Sequence, residues 1–485
     1  MPVPPPPLPP SHARAHVPAP SPLLAFVTRL HFYIGLFVGP FIFVAALTGT
    51  LYVLTPQIEA RLYAHLLTTA PASAAQPLAA QIDAARAYAG PGPRLWAVRP
   101  ATAEGLTTRV MFTTPDLGES ESLAVFVDPA TLAVRGASVM YGTSGILPLR
   151  TTLDHLHRSL LLGSAGRHYS ELAASWLWLA MLGGLMLWLA RRRHEAAALT
   201  PTTPTPQTTP SARRLHRGIG MAVAVGLLFL SATGLTWSRW AGGHIDGLRN
   251  HLGWTTPSVS TQLATPDDPH HGHAGHGDHE GHDGHAMPPA PYRPAASADP
   301  AAIDAVLAAA RAGGIDSPAV EIRPPRSADQ AWTVREYDRS WPSQVDTVAV
   351  DPATMTVVSA AYFEDFPLIA KLIRWGIDLH MGVLFGWASQ LLMAALGTAT
   401  CALVALGYLM WWRRRPAPGA QAPTQTLAQA WLALPRGLRA LALLAGAALG
   451  YALPVLGASL LAFVLIDIAR HRRAAQRGLA PSVAS

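Results

Sequence analysis

Four long apolar runs, each bordered by arginine, alternate with two mixed segments in which alanine-rich stretches precede short apolar and polar alternation. The runs extend from about Leu30 to Leu54, Leu172 to Ala190, Ile219 to Trp240 and Leu384 to Trp412. Each is long enough to cross roughly 30 Å of hydrocarbon as a helix. Arg29 opens the first run and Arg213-Arg214 precede the third, whereas Arg191 to Arg193 close the second and Arg413 to Arg415 close the fourth. All four clusters then lie on one side, which the positive-inside tendency makes the cytoplasm. No small-residue cleavage site closes the first run, so an uncleaved anchor is expected.

The exported segments, about 55 to 168 and 241 to 370, each carry the makings of a small α+β unit. Ala79 to Ala89 and Ala301 to Ala312 read as helices, and Ser122 to Asp128 and Asp346 to Asp351 as strands. Asp-Pro-Ala-Thr follows each strand, at 128 to 131 and 351 to 354, as turn chemistry requires. A last apolar stretch, Leu438 to Ile468, would be about 46 Å long as one helix, too long for a single upright crossing. Gly450 and Pro454 divide it and arginines flank both ends, so a hairpin of two short helices is favoured over one crossing.

The expected fold class is therefore a polytopic α-helical membrane protein. Duplicated helix, exported unit, helix blocks form a four-helix core with two α+β periplasmic domains and a C-terminal apolar hairpin. Its segments are a disordered Pro-rich tail (1–22), a first span (23–54), a first exported domain (55–152), and a His-bearing helix with the second span (153–190). A cytoplasmic linker (191–212), the third span (213–240), and a second exported domain (241–372) with a His-rich insertion (268–287) follow. The chain ends with a second His-bearing helix and the fourth span (373–412), a linker (413–435), the hairpin (436–469) and a tail (470–485).

Composition agrees with two solvents: half of the 485 residues are apolar and 13% charged, against about 25% in soluble chains, yet there are 44 prolines. One cysteine, Cys401, excludes an internal disulfide, a four-cysteine iron–sulfur site and a CxxCH haem attachment. The net charge of +7 rests on arginines beside apolar runs, which points to lipid and not to nucleic acid. Walker A, GxGxxG, HExxH and nucleophile-elbow motifs are absent.

Repeats sharpen the reading. Leu30-His31 is followed by Gly35 and Thr48-Gly49, and Leu215-His216 by Gly220 and Thr233-Gly234, so that histidine to threonine is seventeen residues in both copies. Asp128 precedes His157, and Asp351 precedes His380, by the same 29 residues. The offset between copies is 185 for the first motif (216 minus 31) and 223 for the second (380 minus 157), which leaves 38 inserted residues in the second half. Each block crosses twice, so the copies share an orientation and an axis along the membrane normal.

That axis brings His31 toward His216 near the cytoplasmic side and His157 toward His380 near the exported side. Paired imidazoles facing across a bundle are what a six-coordinate b-type haem requires, and two pairs would make an electron path across the bilayer. Gly35, Gly39, Gly220, Gly226, Gly382 and Gly386 would leave room for a macrocycle, and Arg29, Arg214 and Arg217 would hold propionates. The competing reading makes them interfacial histidines bonded to backbone carbonyls, with glycines serving helix packing. His155 aligns with Asp378 and lacks a counterpart, and His168 and His194 read as interfacial. The tract containing His270, His271, His273, His276, His279, His282 and His285 could bind Zn²⁺, Cu²⁺ or Ni²⁺ loosely or be a solvated loop.

Leu30-His31 with Gly35, Thr48-Gly49, the Val-Asp-Pro-Ala-Thr turns, Leu156-His157, Leu215-His216 and Leu379-His380-Met-Gly together resemble the PepSY-associated transmembrane proteins, often labelled iron-regulated membrane proteins. The resemblance covers about residues 25 to 415. It implies an inner-membrane di-haem ferric-siderophore reductase with His31, His216, His157 and His380 as axial ligands and an exported pair of PepSY domains flanking the substrate site. A cytoplasmic or quinol donor would supply electrons to a ferric siderophore or another metal complex such as Cu²⁺. The alternative is a non-redox PepSY module that binds a periplasmic partner, with its His-rich loop buffering metal. A metal permease ranks last, because the four runs hold almost no ionisable residue in mid-helix.

Overall fold

A computed structural model describes residues 21–72, 74–197, 211–263, 299–413 and 427–476. Ser21 caps the first helix, its Oγ accepting from the Leu24 amide at 3.3 Å, and Pro22 occupies the first turn, where no amide is needed. Helix α1 (Pro22–Tyr33) runs through a π-helical turn (Ile34–Val38) into α2 (Gly39–Val53). Pro40 explains the turn, since it cannot donate to the helix. The Gly39 amide reaches back to the Ile34 carbonyl instead, and the Tyr408 hydroxyl donates to the Leu36 carbonyl at 2.6 Å.

Short helices α3 (Thr55–Leu62) and α4 (Ala64–Leu67) lead to α5 (Leu78–Ala89) and strands β1 (Arg94–Arg99), β2 (Thr108–Thr113), β3 (Glu121–Val127) and β4 (Val134–Tyr141). Helix α6 (Pro148–Ser159) returns the chain to α7 (Gly163–Ala197). The second half repeats the order with α8 (Ala212–Thr236), α9 (Trp240–His251) and α10 (Ile303–Ala312). Strands β5 (Val320–Arg323), β6 (Trp332–Glu336), β7 (Thr347–Val350) and β8 (Val357–Ala361) precede α11 (Leu368–His380) and α12 (Trp387–Arg413). Four helical stretches are long and apolar enough to cross a membrane: Pro22–Val53, Gly163–Arg193, Ala212–Thr236 and Trp387–Arg413. They pack as a ring, α2 on α12, α12 on α8, α8 on α7 and α7 on α2.

The sheet departs from the expectation of two separate α+β domains. All eight strands form one antiparallel sheet in the order β4-β3-β2-β1-β5-β6-β7-β8, joined at the centre where Val98 pairs with Ile322. An unpaired strand edge is a liability in water, and each four-stranded unit presents its first strand to the other, so the two edges remove one another. One face is apolar: Val98, Phe112, Val125, Ile322, Trp332 and Val348 are buried beneath α5 and α10. The alternation of strand side chains sends Arg99 and Glu321 to the other face, beside a smaller cluster of Met111, Phe126 and Met140 with Leu66 of α4 and Leu147 at the start of α6. That second face looks toward the end of the helical bundle.

Both Asp-Pro-Ala-Thr segments are side-chain-capped turns, Asp128 accepting from the Ala130 amide and Asp351 from the Ala353 amide. Each is followed by a left-handed residue, Leu132 or Met355. The C-terminal apolar stretch is two helices, α14 (Arg436–Ala452) and α15 (Pro454–Gln476), after the short α13 (Leu427–Leu432). A methyl group on Gly450 would come within 3.3 Å of the Gly457 backbone, so α14 and α15 meet where their side chains are smallest. Helix α15 docks on the bundle through Leu456 and a bond from Trp176 Nε1 to Ser459 Oγ of 2.8 Å.

Candidate functional site

Two pairs of histidines face one another inside the bundle. At the arginine-rich end, His31 of α1 and His216 of α8 have ring centres 6.5 Å apart with planes at 81°. Toward the sheet, His157 of α6 and His380 of α11 are 6.4 Å apart at 61°. The members of each pair come from sequence positions 185 and 223 residues apart, so only the folded bundle creates them.

Every Nδ1 is occupied. His31 Nδ1 lies 3.0 Å from the Ala180 carbonyl and His216 Nδ1 3.0 Å from the Leu403 carbonyl. His157 Nδ1 has two partners, the Ala45 carbonyl at 3.0 Å and Thr48 Oγ1 at 3.1 Å, whereas His380 Nδ1 has Thr233 Oγ1 at 2.6 Å. The threonine hydroxyls donate to Val44 and Phe229 carbonyls, so their oxygens accept from the imidazoles. A carbonyl can only accept. Nδ1 therefore carries the proton in His31, His216 and His157, and at His380 it does so while Thr233 donates to the Phe229 carbonyl; Nε2 then keeps the lone pair that a metal needs.

Two imidazoles that share one metal must stand at a set distance. A metal–imidazole bond of about 2.0 Å and roughly 1.15 Å from nitrogen to ring centre give about 6.3 Å between two rings that share one metal from opposite sides. The observed 6.4 and 6.5 Å fit. Among the described residues no group of three or more His, Cys, Asp or Glu side chains converges on a metal position. Two imidazoles leave four coordination positions for another donor, and a porphyrin supplies four nitrogens in a plane.

The threonine of each Thr-Gly motif has a role that spacing alone did not disclose, since it bonds the second histidine of its own copy and not the one seventeen residues before it. A side chain on Gly49 would come within 3.1 Å of His157 Cε1, and one on Gly184 within 3.3 Å of His31 Cε1. Glycine at these positions lets the rings lie flat against the helix backbone. Among the glycines expected to make room, Gly35 opens onto free space. Gly39, Gly226 and Gly382 instead pack closely on Val404 and Tyr408, Leu396, and Val53 respectively, which is the helix-packing role. Gly220 approaches Leu403, and Gly386 has a left-handed backbone before α12.

Arg29 and Arg217 are half-buried and Arg214 is exposed, all at the arginine-rich ends of α1 and α8. His155 packs edge-on against Tyr141, with ring centres 4.7 Å apart, and takes no part in either pair. His168 accepts from Trp240 Nε1 at 3.2 Å, outside the pairs. The tract with His270, His271, His273, His276, His279, His282 and His285 lies outside the described residues.

The chain matches the family described as PepSY-associated TM region over residues 28–414, most of its length. No curated protein matches it. It belongs to that family, and with four membrane-crossing candidates it is a membrane protein.

Proposed function

We propose that this PepSY-associated membrane protein is an oxidoreductase of the bacterial inner membrane, with its sheet in the periplasm. In this reading it holds two b-type haems and passes electrons from a cytoplasmic or quinol donor to a ferric siderophore or another metal complex on the sheet side. The observation that carries the reading is the double pair of histidines at bis-imidazole spacing, each with Nδ1 bonded and Nε2 open.

His31 with His216 would hold one group and His157 with His380 the other. When bound, each would supply a one-electron Fe³⁺/Fe²⁺ couple. The chain's own part is to fix ring orientation, keep the ligating nitrogens unprotonated and exclude water. Ala180, Leu403, Ala45, Thr48 and Thr233 do the first two, because a hydrogen bond from Nδ1–H sets the tautomer and makes Nε2 a better donor. Ile34, Val38, Tyr52, Val53, Trp176 and Leu396 form the dry packing around the bundle. Arg29, Arg214 and Arg217, at the arginine-rich end, would meet propionates there.

A reduced-minus-oxidised absorption spectrum of protein purified after expression with ample haem is the test. Expected is a Soret band with the six-coordinate low-spin signature and a haem to protein ratio of two. Protein without a Soret band would refute the proposal, and so would full haem content in both His157→Ala and His380→Ala.

A further inference from the structure

The connection between β6 and β7, residues 337–346, leaves the sheet and reaches the corner between α11 and α12. The Trp341 amide donates to the Leu384 carbonyl at 2.8 Å, and Arg339 Nε donates to Asp378 Oδ1 at 2.6 Å. The two acceptors bracket His380 of the outer pair, so the loop is fixed to the segment that carries this histidine. The Trp341 ring packs on Trp375 with centres 5.3 Å apart and on Phe385 at 6.0 Å, and Trp375 meets Phe363 at 5.8 Å. These contacts leave large apolar surfaces open: Trp341 is 55% exposed, Phe385 52% and Trp387 63%. Leu368 and Leu372, on one side of α11, are exposed as well. An exposed apolar face of this kind marks a contact surface, because leaving it in water is costly.

The adjoining span sets the depth of this face. Helix α12 runs from Trp387 to Arg413, 27 residues. At 1.5 Å per residue that is about 40 Å, against roughly 30 Å of hydrocarbon and about 40–45 Å with both headgroup layers. The two ends of α12 therefore lie in opposite headgroup layers, Arg413 with Trp411 and Trp412 in one and Trp387 in the other. Trp341, bonded to Leu384 just before Trp387, lies at the same level. That layer is where an indole is most stable, its ring against acyl chains and its N–H among polar groups. Charge does not draw the face there, since the exposed Glu364 and Asp365 stand near Lys371, whose Nζ lies 5.8 Å over the Phe363 ring.

The first copy lacks the feature. At the offset of 223 residues, Trp341 falls opposite Gly118 (341 minus 223), Trp375 opposite Thr152 and Trp387 opposite Ser164. The matching β2–β3 connection, residues 114–120, carries exposed Asp116 and Glu119 and no aromatic side chain. Duplication of the fold thus does not by itself require an aromatic face at this place. We propose that the β6–β7 loop and the adjoining face of α11 rest in the headgroup layer of the leaflet on the sheet side, so that the partner of this aromatic face is the bilayer itself. The β2–β3 loop stays in water. One half of the sheet is then pinned to the membrane, and the pin sets the height of the sheet above the outer histidine pair. Lipid contact requires neither haem nor an electron donor, and so stands apart from the proposed function.

The test uses full-length protein in nanodiscs of neutral phosphatidylcholine whose acyl chains carry bromine either next to the headgroup or near the chain ends. The emission lost on Trp341→Phe isolates Trp341 from the other tryptophans. Expected is quenching of that emission by shallow bromine about twofold or more stronger than by deep bromine, with little quenching by aqueous iodide. A phosphatidylcholine with a photoactivated diazirine on the upper part of its acyl chain, applied to the unmodified protein, should attach to peptides bearing Trp341, Leu368, Leu372 and Phe385 and leave residues 114–120 unlabelled. Trp341 emission quenched by iodide and untouched by either bromine would overturn the proposal and open the face to a soluble partner. Absence of lipid adducts at Trp341, or equal labelling of the two loops, would overturn it too. Should Trp341→Phe fail to fold, the labelling of the unmodified protein still decides. A missing Soret band would refute the proposed function and leave both measurements readable.

Discussion

Thr233→Val separates the two outer histidines by a difference in their hydrogen bonding. His380 Nδ1 relies on Thr233 Oγ1 at 2.6 Å, whereas His157 Nδ1 has both Thr48 Oγ1 and the Ala45 carbonyl. Valine keeps the volume of threonine and removes the acceptor. The His380 N–H is then buried without a partner, at a cost of about 1–3 kcal/mol, which corresponds to roughly 5- to 150-fold in affinity for whatever His380 ligates. Thr48→Val leaves His157 its carbonyl partner and should cost a few tenths of that on the same logarithmic scale. On the proposed di-haem function, the assay is haem transfer from purified protein to excess apomyoglobin, followed by Soret absorbance, with the pair at the arginine-rich end as internal reference. The expected result is a faster outer-site transfer in Thr233→Val than in Thr48→Val, with the inner site unchanged in both. Equal transfer from the two variants, or a larger effect for Thr48→Val, would refute the reasoning about single and double acceptors.

Four further outcomes are expected. Gly49→Ala puts a methyl group within 3.1 Å of His157 Cε1 and, on the proposed di-haem function, should lower the haem to protein ratio from two towards one, measured by pyridine haemochrome content. Burial alone would raise the Glu321 carboxyl, but Arg99, Arg335 and Arg323 hold it well below the usual carboxylate range. A folded-state value below the unfolded one contributes stability that is present above about pH 4.3 and lost as pH falls below it, so thermal unfolding of the sheet should shift down on acidification. Glu321→Gln leaves its guanidiniums uncompensated and should destabilise the sheet by about 3–5 kcal/mol at neutral pH, read by denaturant unfolding. Tyr408→Phe removes the hydroxyl from the Leu36 carbonyl and should lower the melting temperature of the bundle by an amount that corresponds to about 1 kcal/mol.

Much of the bundle was legible in the chain because helix burial in lipid is a local property. A run such as Leu384 to Trp412 declares itself through 29 mostly apolar residues with no charged side chain, and its terminal arginines declare a side. The four histidines were legible for another reason: duplicated spacing marks positions under one constraint, and the two-fold relation says which residues meet. The Gly positions were read less well. Gly39 and Gly226 pack against neighbouring helices; of the two glycines at the imidazoles, Gly49 was marked only as part of the repeated Thr-Gly motif, and Gly184 carried no signal that distinguished it from other small residues.

By itself the sequence determined the membrane-crossing segments, the repeated blocks and the identity of the paired histidines, since apolar run length, charge placement and spacing are written along one dimension. Tertiary structure alone decided that two exported units share one sheet through Val98 and Ile322, that Thr48 and Thr233 orient His157 and His380, and that five guanidiniums converge on Glu321 and Asp378. Edge pairing, a hydrogen bond across 147 residues and a shared carboxylate depend on distances of a few ångströms between distant parts of the chain. No local pattern encodes those distances; the packing of the bundle and the closure of the sheet set them.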